Sequence, residues 1–265
     1  METDTRLAQP QTLARPWIRV TLKSCIYQGS GAVPTYSMWT ISGGTPRIWI
    51  ATADGVGSGD SFLYAAGSHV HTNQGFGALG IYRLRFAATA YRGPGQSNPT
   101  AESGVYAVTF AVGPVANWQA AYFTGSELEN PIVCGLAADP DADGMNNLLE
   151  FAFGFDPRNG RRLPVSNGLG LPVFSIETEG GITYQVLEFP RRRAESLTDP
   201  TVYVAEFSDL KNSGGWHSAA TETAADFTGK QAGLNAVWEK VRARRALPLG
   251  EEAAGFGRVR LTHGG

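Results

Sequence analysis

Short runs in which apolar and polar residues alternate recur along this chain, each bounded by Gly, Pro, Ser or Asn, and they predict strands. In the first part they cover residues 17–22, 47–51, 81–86 and 105–112. In 81–86, Arg83 and Arg85 share one face while Tyr82, Leu84 and Phe86 share the other, as a half-buried strand of period two requires. From Leu171 onward the same pattern returns at 172–176, 182–189, 201–207 and 257–262, with 235–239 readable as strand or helix.

Between these stretches the period changes. Residues 117–123 have helical propensity and predict a short helix, which Asn117 can cap and Gly125 can end. Met145, Leu148, Leu149, Ala152 and Phe153 fall at i, i+3, i+4, i+7 and i+8, one apolar stripe of a helix starting at Asn146 and closed by Gly154 and Asp156-Pro157. The fold class expected is therefore mainly β. It comprises an N-terminal β-sandwich over 1–115, a short helical segment over 116–165 and a smaller C-terminal β domain over 166–265.

Composition supports that reading. The chain has 265 residues, of which 42% are hydrophobic and 17% charged, so it can bury a core but lacks the Glu, Lys and Arg that furnish exposed helix faces. Its 33 glycines are about twice the usual share of ~7% and suit many tight turns. A net charge of −2 offers no general field for a phosphate backbone, so nucleic acid is not an expected partner. The basic clusters Arg161-Arg162, Arg191-Arg192-Arg193 and Arg242, Arg244, Arg245 read as solvated loops and strand edges. No apolar run is long enough to span a membrane. Cys25 and Cys134 form no CxxC pair, and either one long-range disulfide or two buried thiols fits them.

The strongest chemical signal lies in the acidic stretch 139–150. Calcium takes six to eight oxygens, and a twelve-residue loop supplies them from its positions 1, 3, 5, 7, 9 and 12 with glycine at 6. Asp139, Asp141 and Asp143 fall at the first three positions, Met145 offers its backbone carbonyl, Asn147 a water-mediated contact and Glu150 a bidentate carboxylate. Gly144 takes the turn. So many carboxylates in a small volume repel one another unless a cation neutralises them. The approach to the loop carries Pro131, Gly135 and Pro140, so only the exit helix is expected, and a permanent structural clip between the two β domains suits such a loop better than a switch.

Three weaker patterns accompany it. His69 and His71, at i and i+2 on an expected strand, would point the same way; they read as hydrogen-bonded histidines at a sheet end or as a pair that could share a transition metal, with Asp60 and Asn73 as the nearest further donors. Gly75, Gly77 and Gly80 match a dinucleotide fingerprint but lead into a strand where that fold needs a helix. The serines of 29–31 and 57–59 lack a nucleophile elbow, and the histidines at 69, 71, 217 and 263 show no catalytic partner pattern.

The segment 138–157 resembles the thrombospondin-type-3-like calcium loops of bacterial surface proteins, and verrucomicrobial secreted proteins in particular, with a Trp-containing helix before the loop as at Trp118. Residues 206–210, Trp216 and 256–261 are similar to the small β module that follows such loops. The stretch from about 20 to 115 resembles the choice-of-anchor M, or surface-anchored repeat, family. That likeness rests on Trp49, Ala53-Asp54-Gly55, Asp60, His69, His71, Asn73, Gly75-Phe76, Gly80, Tyr82 and Tyr106, although Gln74 stands where the family usually has Trp.

These resemblances imply a non-enzymatic, calcium-stabilised extracellular or cell-surface protein. The polar N-terminus carries no export signal, so the chain reads as a fragment or one with a misplaced start. Two alternatives stand beside this reading. One is a module that binds a cell-surface glycan or protein through exposed Trp39, Trp49 or Tyr64, aromatics that read first as core residues, and the other is a hydrolase using a His69/His71 metal centre.

Overall fold

The computed structural model describes residues 17–29, 34–92, 97–193, 201–209, 216–218, 234–246 and 255–263. The polar stretch 1–10, Ser30, Gly31, Leu210 and the side chain of His217 lie outside what is described. The protein is mainly β, as its alternation predicts, and it divides into two compact units, Met1–Val112 and Gly113–Gly265. No helix among the described residues is long and apolar enough to cross a membrane, a statement that leaves β-barrels aside.

The first unit contains β1 (Trp17–Gln28), β2 (Tyr36–Ser42), β3 (Thr45–Ala51), β4 (Ser61–Ala65), β5 (Asn73–Phe76), β6 (Gly80–Arg92), β7 (Asn98–Pro99) and β8 (Tyr106–Val112). One antiparallel sheet has the order β4-β1-β6-β7 with β8 also paired to β6, and the second has the order β3-β2-β5. Leu22, Phe62, Tyr82, Leu84 and Phe86 from the first sheet pack with Tyr36, Met38 and Ile50 from the second, which makes a sandwich with one core. The inward face of β6 is the one its alternation marks. The glycine-rich run before it ends in this strand, so no helix N-terminus is present there for a phosphate. The β2–β3 hairpin turns on Gly43 and Gly44, both at positive φ, the geometry a two-residue turn between twisted strands demands.

In the second unit α1 (Pro114–Tyr122), α2 (Pro131–Cys134) and α3 (Asn147–Phe153) precede β9 (Val173–Glu179), β10 (Ile182–Arg192), β11 (Thr201–Asp209), β12 (Trp216–Ser218), β13 (Trp238–Ala246) and β14 (Gly255–His263). The strands form two antiparallel sheets of order β13-β10-β9 and β12-β11-β14. Leu187, Phe189, Val241 and Ala243 from one, Ala205 and Phe207 from the other, and Met145, Ala152, Phe153 and Phe155 from the helical segment share a single core. The helical segment thus folds as part of the unit that contains the C-terminal strands. Arg192 fastens the two, its Nε donating to the Phe151 carbonyl at 3.1 Å while its guanidinium lies 4.0 Å from the Phe151 ring and 4.5 Å from that of Trp238.

Several local expectations shift. Helix α1 begins at Pro114, before the Asn117 expected to cap it, because proline at the first helical position is already fixed in φ and its missing N–H is not needed there. Residues 235–237 form a turn in which Asn235 Oδ1 accepts from the Val237 and Trp238 N–H groups, after which the chain enters β13. Arg242 and Arg244 stand on β13, an edge strand, where they pair with Glu177 and Glu179, while Arg191 on the central strand β10 pairs with Glu239. Neither Cys25 nor Cys134 is in a disulfide.

Candidate metal centre

Helix α3 opens with Asn146 as its cap, the side-chain Oδ1 accepting from the Leu149 N–H at 3.0 Å. It closes at Gly154 in the left-handed region, whose N–H reaches back to the Glu150 carbonyl. Before it, α2 is a single turn with Pro131 at its start and Asn130 capping the Ile132 N–H. The expectation of no entering helix is corrected to this extent, since proline is tolerated in a first turn.

Between them the loop is organised by its own carboxylates. Asp139 Oδ1 accepts from Asp143 N–H and Oδ2 from Gly144 N–H, Asp141 Oδ1 from Asp143 N–H, and Asp143 Oδ1 from Met145 N–H at 2.7 Å. Gly144 has φ +87°, the positive value the sharp turn needs, and a Cβ there would meet Arg162 Nη2 at 2.7 Å. Ala142 also has positive φ, at +59°, a conformation that costs a residue with a Cβ of order 1 kcal/mol. Met145 buries its side chain in the core, which anchors the middle of the loop.

Carboxylate oxygens of Asp139, Asp141 and Asp143 come within 4.8 Å of one another, a group able to hold a metal ion. Glu150 lies outside that tight group, yet it is completely buried and both its oxygens lack a hydrogen-bond partner. Asp141 Oδ2, Asp143 Oδ2 and Asn147 Oδ1 are likewise buried and without one. Burial, then the charges of Asp141, Asp143, Asp139 and Asp156, push Glu150 up to about 8. Burial and the neighbouring Asp143 and Asp139 charges also raise Asp141.

Asn147 has a second task beyond that of a ligand. Its Nδ2 donates to the carbonyls of Val133 and Gly135, while its N–H donates to Ala138, stitching the loop's exit to its approach. Sequence reasoning missed Arg162, which it counted as solvated. Its Nε stands 3.5 Å from Asp143 Oδ2, the one cationic group paired with this loop among the described residues. Opposite charge cannot be read from sequence when its partner is many residues away and the intervening chain is irregular.

Compared with known protein families, with curated proteins and with solved structures, the chain matches none. Its chemistry therefore rests on its own atoms.

The histidines do not lie on a strand: β4 ends at Ala65 and β5 begins at Asn73, so His69 and His71 belong to the connection between them. Their rings nevertheless meet, Nε2 to Nε2 at 3.2 Å. Asp60 is committed elsewhere, accepting from the Ala51 N–H through Oδ1 and the Gly57 N–H through Oδ2. Of the aromatics considered for glycan binding, Trp49 and Tyr64 pack against the first core with rings 5.6 Å apart, and Trp49 Nε1 donates to Thr40. Trp39 is half-buried over Gly75, where a Cβ would meet its ring at 3.1 Å.

Proposed function

We propose that this chain is a non-enzymatic, extracellular or cell-surface protein whose second unit is braced by one calcium ion in the loop 139–150. The observation that carries the reading is a set of buried oxygens: Asp141 Oδ2, Asn147 Oδ1 and both oxygens of Glu150 accept no hydrogen bond, and Asp143 Oδ2 has only the Arg162 guanidinium, 3.5 Å away. An unpartnered buried polar atom costs roughly 1–3 kcal/mol, and more when charged, so four around one loop are not a resting arrangement.

Oxygen donors of this hardness suit calcium or magnesium over the softer transition ions. Asp139, Asp141, Asp143 and Glu150 would hold the ion with the Met145 carbonyl and Asn147, as the loop pattern assigns them. Between α2, a single turn, and α3, of two turns, no long helix pair is present to swing open, which favours a brace over a sensor. An extracellular setting agrees with a structural site of modest affinity, which free cytosolic calcium is too scarce to fill.

The test is a melting curve. Calcium should raise the melting temperature over that in EDTA, reversibly, and an Asp141→Ala, Glu150→Ala double variant should melt alike in both. Coincident parent curves in calcium and EDTA would remove the proposal.

A further inference from the structure

We infer that His69 and His71 form a second metal site, a two-imidazole chelate for a divalent transition ion of the zinc and copper class, carried by the first unit and independent of the acidic loop. Their Nε2 atoms are 3.2 Å apart, with the rings at 74°. Two zinc–nitrogen bonds of ~2.0–2.1 Å at an angle of roughly 100–110° hold their nitrogens about 3.1–3.4 Å apart. The two imidazoles thus already stand at the separation that one ion imposes. A hydrogen bond explains the same distance only if one ring donates at Nε2 and the other accepts there; for both Nε2 lone pairs to bind one ion the donating ring changes tautomer, losing its Nε2 proton to solvent and taking one up at Nδ1, so both imidazoles stay neutral.

The connection carrying them is pinned at both ends. After β4 it turns through Gly67, at φ +77°, with the Ser68 N–H bonded to the Ala65 carbonyl, and it then enters β5 at Asn73, paired with Trp39. β4 and β5 belong to different sheets of the sandwich, so an ion here would clip their link. Both histidines are exposed, which lets an ion reach them. No third His, Cys, Asp or Glu joins them among the described residues, leaving the other coordination positions to water or to a donor from a bound ligand. Nitrogen donors prefer borderline ions over calcium, so the two sites sort metals by chemistry.

The test titrates zinc into the full chain held in excess calcium, by calorimetry in a buffer without chelating groups. One zinc per chain is expected, with His69→Ala and His71→Gln each weakening binding about tenfold or more because the chelate is lost. The Asp141→Ala, Glu150→Ala double variant should bind zinc like the parent. With copper(II), the electron paramagnetic resonance spectrum of the parent should show coupling to two imidazole nitrogens, and each histidine variant should lose one. Equal zinc affinity in parent and histidine variants, or loss of zinc uptake in the acidic-loop variant alone, would overturn the inference.

Discussion

Glu150 is the residue on which the loop's energetics turn. A carboxyl fully buried among three aspartates and held near 8 keeps its proton in the metal-free native state, whereas the unfolded chain releases it near 4.5. The native state therefore binds more protons between those values, so the stability present below about 4.5 is lost as pH rises towards 8. In EDTA, denaturant midpoints should fall from about pH 5 to about pH 8. Glu150→Gln, which keeps the shape and removes the ionisation, should flatten that fall and raise the EDTA melting temperature near pH 8 by a few degrees, the scale of about 1 kcal/mol. The same variant should lose its response to calcium. A Glu150→Gln variant no more stable in EDTA than its parent would mean that Glu150 is not electrostatically strained. Ala142 supplies an independent case: Ala142→Gly relieves a positive φ and should stabilise by up to about 1 kcal/mol, read from the urea midpoint at unchanged slope.

Among the elements, α3 joins the loop to the core, and its ends are set by single side chains. Asn146→Ala removes the cap on Leu149 N–H and should cost about 1 kcal/mol, with calcium affinity falling as the helix start frays. Much of this was legible in the sequence, since the stripe of Leu149, Ala152 and Phe153, Gly154 at the end and the acid spacing before it each state a local rule. β6 was legible for the same reason. β2 was not singled out, and its register shifts between Met38 and Trp39, which breaks the alternation after Tyr36 and Met38. The single-turn α2 escaped as well, because its two stabilising features, Asn130 and Pro131, also read as a breaker. Pairings across distant strands, such as Arg242 with Glu177 and Arg258 with Glu206, depend on register and leave no trace in spacing.

For the whole molecule, one sandwich and one helix-bearing β unit share the chain, and the loop belongs to the second. Calcium should therefore slow amide exchange in the 113–165 segment and in the β10 and β13 strands it packs on, and leave the exchange of β1 and β6 unchanged. Uniform protection across both units would mean that the ion acts somewhere other than the loop. The functional reading itself stands or falls on binding. Calcium titrated calorimetrically into chelator-treated, exhaustively dialysed protein should bind at one site per chain, and the Asp141→Ala, Glu150→Ala variant should give only heats of dilution. A parent that gives no binding heat, at several temperatures and with an unchanged melting curve, would contradict the account.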